Sequence, residues 1–276
     1  MSEQIDKYGI HSLNKNIINN AQLYFDSLIK PVGSLGKLEA LTCRFAAARQ
    51  LWLPGQLPQP KLAVVKIIDA KVKTHAGREA LLPFFAQSVN AEIYTFLVDT
   101  KATRQEIFRA AFSYMHEISL KSANVVAFVS HEDKDGKKLS KELLAEKSYQ
   151  ELLMSEDVSG IAMVGCILGA AKERLLLCLE GSVIIKAACL ACKMAPEVLD
   201  YCFLGQTNKE AVQEYLAYLK IEPLLNIKLT NGFGYGAILA FSLLEAGVKS
   251  YKEMATFTKA SVHGVIKEYT KGVSSK

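Results

Sequence analysis

Leu224-Leu225-Asn226-Ile227-Lys228-Leu229-Thr230-Asn231-Gly232-Phe233-Gly234-Tyr235-Gly236-Ala237-Ile238-Leu239-Ala240-Phe241-Ser242-Leu243-Leu244 is the stretch on which the fold turns. Leu224 to Leu229 reads as a strand, Asn231 to Gly236 as a glycine-rich turn, and the apolar run from Ala237 as a buried helix closed by Gly247. A strand, a glycine turn and a helix start form the unit with which α/β proteins hold small ligands. Glycines let the backbone come close to a ligand, and the first turn of the helix offers N–H groups to an anion.

Working outward, the same rhythm recurs. Leu62 to Ile68, Glu92 to Val98, Asn124 to Val129, Leu175 to Leu179 and Val198 to Leu204 are apolar, β-branched runs. Such runs, separated by helical stretches, indicate parallel strands buried on both faces. The intervening helices are read over Thr103–Lys121, with Ile107, Ala110, Ala111, Tyr114, Met115 and Ile118 on one side, over Gly160–Ala171, and over Asn208–Leu219. Gly165 and Gly169 permit close packing, and Ser182 is a cap for a helix running to Met194. The fold class expected is therefore α/β, a doubly wound, mostly parallel, six-stranded Rossmann-like sheet.

Both ends of the chain read as helical. Residues 13–28 carry Ile17, Ile18, Ala21, Leu23, Phe25 and Leu28 at helical spacing. Pro31 breaks that helix, and Ser34 is the expected N-cap of a second helix burying Leu38, Leu41, Phe45 and Ala48. The loop Leu53–Pro60 then marks a boundary, and Ser250 to Lys271 reads as a helix returning to this hairpin. The expected division is residues 1–58 with 250–276 as a small helical sub-domain, and 59–249 as the large α/β domain.

The chain has 276 residues, half of them hydrophobic, and a net charge of +5, which is compatible with anionic small molecules and too small for nucleic acid. Six cysteines lie inside apolar segments without framework spacing, the pattern of reduced thiols. Cys189-Leu190-Ala191-Cys192 is a lone C-x-x-C in a helical pattern, and the five histidines lack ligand spacing, so neither a metal nor another cofactor is expected. The polar start and the lack of a long apolar run give the expectation of a cytoplasmic protein with no membrane partner.

Three stretches together resemble the nicotinate-nucleotide:dimethylbenzimidazole phosphoribosyltransferase family. Lys30-Pro31-Val32-Gly33-Ser34-Leu35-Gly36-Lys37-Leu38-Glu39 is similar to its K-P-x-G-S-L-G-x-L-E signature. Gly165-Cys166-Ile167-Leu168-Gly169-Ala170-Ala171, with Glu180-Gly181 further on, is similar to its G-x-I-L-G-A-A and D-G segments. Glu222-Pro223-Leu224-Leu225 through Gly236-Ala237 to Glu253-Met254-Ala255-Thr256-Phe257 is similar to its E-P-L-L-D-L, G-E-G-T-G-A and E-M-A-T-F ending.

The resemblance implies attack of a base or phenol on the anomeric carbon of nicotinate mononucleotide. It also implies a dimer in which the helical sub-domain of one subunit closes the active site of the other. The departures fall on the chemistry. Phe233 stands where G-E-G-T-G-A carries the glutamate taken as base, so no catalytic residue is assigned, because a phenyl ring accepts no proton. The D-H-G-V stretch is reduced to Asp69-Ala70-Lys71-Val72, and a G-E-M-G-I-G-N-T-T loop is replaced by His131-Glu132-Asp133-Lys134-Asp135-Gly136. A G-R-G-T-G-like phosphate turn is largely missing, and the S-H-x-S region reads Gly205-Gln206-Thr207-Asn208.

The resemblance is nearest to the glutamate-lacking subunit of the heterodimeric phenol/p-cresol phosphoribosyltransferase. The expected role is accordingly a non-catalytic subunit that completes the pocket of a paralogous, glutamate-bearing partner. Nicotinate mononucleotide and the aromatic base or phenol would sit at that partner's site. Candidate substrate or partner-pocket residues are Lys30, Pro31, Gly33, Ser34, Leu35, Glu180, Gly232, Gly234, Tyr235 and Gly236. Two alternatives stay open: an active enzyme whose base is displaced to Glu132, Asp133 or Glu180, and a non-enzymatic homodimer in which Phe233 and Tyr235 stack an aromatic ligand.

Overall fold

The computed structural model describes residues 8–69, 79–130, 153, 156–206, 213–229 and 233–260. The chain divides into two compact units: Met1–Ser12 with Pro60–Ser242, and Leu13–Gln59 with Leu243–Lys276.

The larger unit is built on one sheet of β1 (Leu62–Asp69), β2 (Glu92–Val98), β3 (Val125–Ser130), β4 (Leu176–Leu179), β5 (Cys202–Gln206) and β6 (Pro223–Leu225). The strand order is β2-β1-β3-β4-β5-β6, and each pairing is parallel. The expected doubly wound sheet is therefore present, as parallel throughout. The chain leaves β1 toward β2 and then returns to the other side of β1 to form β3. That reversal puts a switch point between β1 and β3, and ligands of such sheets sit outside the carboxyl ends of the strands there.

Three strand readings change. The β2 run resembles β1 in composition, but Ile93 and Leu97 are 38% and 71% exposed and only Phe96 and Val98 are buried. It is the edge strand, and a run of apolar letters does not distinguish edge from centre. Val198–Tyr201 is not strand; Pro196–Tyr201 forms a 3₁₀ turn begun by the proline, and β5 starts at Cys202. The strand of the opening stretch is confined to Pro223–Leu225, and further on Lys228 takes a φ of 56°, outside the extended region.

The helices of this unit are α3 (Leu82–Ser88), α4 (Arg104–Leu120), α5 (Val158–Lys172), α6 (Ser182–Met194), α7 (Gln213–Leu219) and the first half of α8 (Tyr235–Glu253). Thr103 and Glu106 form a reciprocal capping box on α4. Ala110, expected on the buried face of α4, is exposed, and Ile107, Ala111, Met115 and Ile118 carry the contact. A Cβ on Gly165 would lie 2.7 Å from the Phe108 carbonyl oxygen, and one on Gly169 2.3 Å from that of Phe112. Only glycine lets α5 approach α4 so closely. Ser182 does not cap α6; Gly181 does, at a φ of 90°, with no side-chain bond.

The smaller unit holds α1 (Lys15–Asp26), α2 (Lys37–Arg49) and the second half of α8. Asn14 caps α1, while Leu23, expected on its buried face, is 67% exposed. Gly36, not Ser34, caps α2, at a φ of 53° and without a side-chain bond. Gly247 does not end α8, which runs on to Glu253; a Cβ at Gly247 would lie 2.4 Å from Thr42 Oγ1, so the glycine serves close packing on α2. Within the expected Ser250–Lys271 helix, the chain leaves α8 after Glu253 and Thr256 bridges to Leu28; residues 261–276 lie outside the described residues. No described helix is long and apolar enough to cross a membrane.

Candidate active site

The glycine turn and the end of β4 converge at the carboxyl edge of the sheet. α8 begins at Tyr235, two residues earlier than the apolar pattern suggests. Gly234 precedes it at a φ of 100°, and a Cβ there would lie 2.7 Å from the Phe128 carbonyl oxygen of β3. Both constraints require glycine. Gly205 in β5 is pressed as closely onto the helix start, where a Cβ would lie 2.7 Å from Ala237 Cα. Gly232 and Asn231 lie outside the described residues.

Glu180 closes this arrangement from β4. Its side chain is buried, at 2% exposure, and Oε2 accepts the N–H groups of Gly236 at 2.7 Å and Ala237 at 3.2 Å. A Cβ on Gly236 would lie 2.8 Å from Glu180 Oε1, so that glycine is the complement of the carboxylate. The first N–H groups of α8, which the sequence reading offered to a ligand anion, are thus engaged by the protein's own carboxylate.

Phe233 and Tyr235 are each 1% exposed. Their ring centroids are 5.5 Å apart, and Phe85 of α3 stacks on Tyr235 at 4.5 Å with an interplanar angle of 23°. Burial and the nearby Glu79 carboxylate raise the Tyr235 phenol above its ordinary pKa, so it stays protonated. Glu79 is itself paired to Lys66 of β1 at 2.6 Å. The three rings and this ion pair form an apolar, charge-balanced filling beside the turn.

Gln206 at the end of β5 adds a contact that no sequence pattern announces. Its Nε2 donates to the Leu229 carbonyl at 3.2 Å, and the Leu229 N–H donates to its Oε1 at 2.9 Å. The amide thus holds the segment beyond β6 against the end of β5 by two bonds. The roles of Phe85, Gly205, Lys66 and Glu79 were equally invisible, because each depends on a partner remote in sequence.

The signature residues of the hairpin lie in the smaller unit. Lys30 Nζ meets Glu39 Oε1 at 2.8 Å, and that oxygen also accepts the Leu35 N–H at 3.0 Å. The ion pair ties off a loop on which Pro31, Val32, Gly33 and Ser34 are exposed. Of the carboxylates considered as displaced bases, Glu132 and Asp133 lie outside the described residues. All six cysteines are free and buried, and no cluster of His, Cys, Asp or Glu among the described residues is arranged to hold a metal.

Comparison with known proteins agrees with this architecture. A family profile described as phosphoribosyltransferase matches residues 10–69 and 151–262, leaving 70–150 unmatched. The nicotinate-nucleotide–dimethylbenzimidazole phosphoribosyltransferase of Shewanella baltica (strain OS185) is 36% identical over 107 residues, 38% of this chain and 30% of that protein. The protein of the same name from Citrifermentans bemidjiense is 40% identical over 107 residues, again 38% and 30%. The chain thus spans under a third of the length of the curated relatives it matches. Among solved structures, CobT from Thermus thermophilus has a TM-score of 0.75 at 21% identity, covering 89% of this chain and 98% of that one. A second structure of the same organism's nicotinate-nucleotide–dimethylbenzimidazole phosphoribosyltransferase has a TM-score of 0.73 at 22% identity, covering 91% and 100%. With the profile covering well over half of its residues and the sheet shared, this chain belongs to the nicotinate-nucleotide–dimethylbenzimidazole phosphoribosyltransferase family.

Proposed function

We propose that this chain is the non-catalytic subunit of a phosphoribosyltransferase that transfers the phosphoribosyl group of nicotinate mononucleotide to a phenol or aromatic base. The products are α-ribotides for the lower ligand of cobamides, and the chain acts by completing the active site of a paralogous, glutamate-bearing subunit. The observation that carries this reading is the burial of Phe233. In the glycine frame at 232, 234 and 236 it occupies the position of the family's general base, packed at 1% exposure against Tyr235. A ring so placed takes no proton from an acceptor. Glu180, the one candidate for a displaced base among the described residues, is buried and already accepts two helix N–H groups.

What the chain retains suits a partner role. The unmatched residues 70–150 are where the family's ligand loops should lie, whereas the hairpin signature is kept. Its loop is fixed by the Lys30–Glu39 pair and leaves Val32 57% exposed, available to line a partner's aromatic slot together with Pro31, Gly33, Ser34 and Leu35. Transfer from nicotinate mononucleotide to phenol, p-cresol and dimethylbenzimidazole is measured for this chain alone, for a glutamate-bearing paralogue alone, and for the two co-expressed. Activity that requires both chains and weakens on Val32→Asp supports the proposal. Turnover by this chain alone, or a stable homodimer that takes no paralogue, sinks it.

A further inference from the structure

We propose that a cavity at the amino ends of β1 and β2 is a binding site for a small organic carboxylate with a ring-sized apolar body. The cavity measures about 170 Å³. An apolar cavity of ~150 Å³ holds benzene, so there is room for a single ring. Buried Leu62, Ala63 and Ala123 give it an apolar lining, and the two alanines leave the space that larger side chains would fill. Asn90, Glu92 and Tyr94 line it on the β2 side, and Lys61 and Lys121 bring two ammonium groups to it. All of these residues belong to the larger unit, so the cavity is complete within one chain. It lies at the opposite end of the parallel strands from the Gly234–Ala237 turn.

The lysines set the charge of the ligand. Lys66 and Lys186 of this unit each meet a carboxylate, at 2.6 and 2.8 Å, whereas among the described residues neither Lys61 nor Lys121 is paired with one. Glu92, the carboxylate of the lining, accepts the Tyr94 hydroxyl instead. Burial first, and then Glu92, push that phenol up to about 12, so it keeps the proton it donates. Two cations against one carboxylate leave one net positive charge at the cavity, which suits a monoanion. The Lys121 ammonium stands 4.9 Å from the centre of the Tyr94 ring, which holds it beside the cavity. Lys61 is anchored through its backbone: its N–H donates to Asn124 Oδ1 at 2.7 Å, and its carbonyl accepts the N–H groups of Asn124 and Val125, each at 3.1 Å. Cations positioned in advance lower the ordering cost of binding. A carboxylate on an apolar ring matches both the charge and the lining, and inorganic phosphate matches only the charge.

Benzoate is the probe. Titrated into the wild-type chain at fixed ionic strength, it should move the Ala63 and Ala123 amide resonances to saturation. Lys61→Met and Lys121→Met keep the aliphatic stems and should each weaken binding about tenfold, and the double variant should abolish it. Lys101→Met, at an exposed lysine outside the lining, should bind as the wild type does. Two arms need no variant: benzyl alcohol has the ring without the charge, acetate has the charge without the ring, and each should saturate only at a much higher concentration than benzoate. Shifts that fail to saturate with benzoate, or that persist unchanged in a folded double variant, overturn the proposal. Tighter binding of inorganic phosphate than of benzoate overturns the assignment to a carboxylate.

Discussion

Lys30 Nζ lies 2.8 Å from Glu39 Oε1, with the two side chains 6% and 3% exposed. The pair closes the turn between α1 and α2 from inside. Gln22 Nε2 donates to the second carboxylate oxygen at 2.9 Å, and the Phe25 ring lies 5.6 Å from the ammonium. Removing one member of such a pair leaves the other buried without its counter-charge. Lys30→Met should therefore cost about 3 kcal/mol, read as a lower urea midpoint. Lys30→Met combined with Glu39→Leu should recover part of that loss. An unchanged midpoint for the single variant would refute the buried pair.

The same carboxyl sets an acid limit. Burial by itself would raise the Glu39 pKa, but the hydrogen bonds from Lys30, Gln22 and the Leu35 N–H, with the Lys30 charge, outweigh it and hold the pKa below the ordinary 4.5. A depressed carboxyl contributes stability that is fully present above the unfolded value and lost as pH falls through the folded one. Stability of the wild type should thus decline as pH drops below about 4.5. In Glu39→Gln that part of the decline should be absent, as measured by urea midpoints between neutral pH and acid.

The sheet was legible where burial is uniform. β1, β3 and β4 are central strands, and their nearly continuous apolar runs, interrupted in β1 by Lys66, say so. The failures have local causes that composition does not carry. Lys228 takes a left-handed backbone, Pro196 starts a 3₁₀ turn in a β-rich segment, and Gly247 faces Thr42 rather than ending its helix. Both serine caps proved to be glycines with positive φ, at 36 and 181. At the site, the glycine frame and Glu180 were visible as motifs. Their joint meaning was not, because the Glu180–Gly236 bond spans 56 residues and exists only once β4, β5 and α8 meet.

The close approach of α5 to α4 gives a packing test. Gly169→Ala would place its methyl 2.3 Å from the Phe112 carbonyl oxygen, a backbone atom that cannot turn aside. The helices must then separate, at a cost of roughly 2 kcal/mol or more. Gly55→Ala, with nothing within 4 Å of the new methyl, is the control and should leave the melting temperature nearly unchanged. Equal melting temperatures for the two variants would contradict the packing described.

The thiols should be inert in the folded chain. Cys43 and Cys189 are pushed up to about 12, in each case chiefly by burial. Burial raises Cys166 and Cys178 too, and Cys192 is raised first by a hydrogen bond with Cys202 and then by burial. Thiolate is the reactive form, so a disulfide reagent at pH ~8 should label the six buried thiols only after denaturant is added. Rapid labelling of Cys189 or Cys192 in the native protein would instead mark the C-x-x-C as accessible.

Phe233→Glu restores the family's glutamate in the frame but not its surroundings. The new carboxyl would lie in a position 1% exposed, beside Tyr235 and within reach of the Phe85 stack. An ionised group there costs ~3 kcal/mol or more, so it takes up a proton instead and its pKa rises above the ordinary ~4.3. A raised carboxyl destabilises increasingly as pH climbs above the unfolded value. Phe233→Glu should therefore melt below the wild type at every pH, through the lost ring packing, and the gap should widen from pH ~4.5 to pH ~8, since the proton is lost only at a cost. It should show no phosphoribosyl transfer on its own, because a carboxyl at a position only 1% exposed has no acceptor to deprotonate. Turnover by Phe233→Glu alone, or a gap independent of pH, would show that this position is open and that the buried ring described here is wrong.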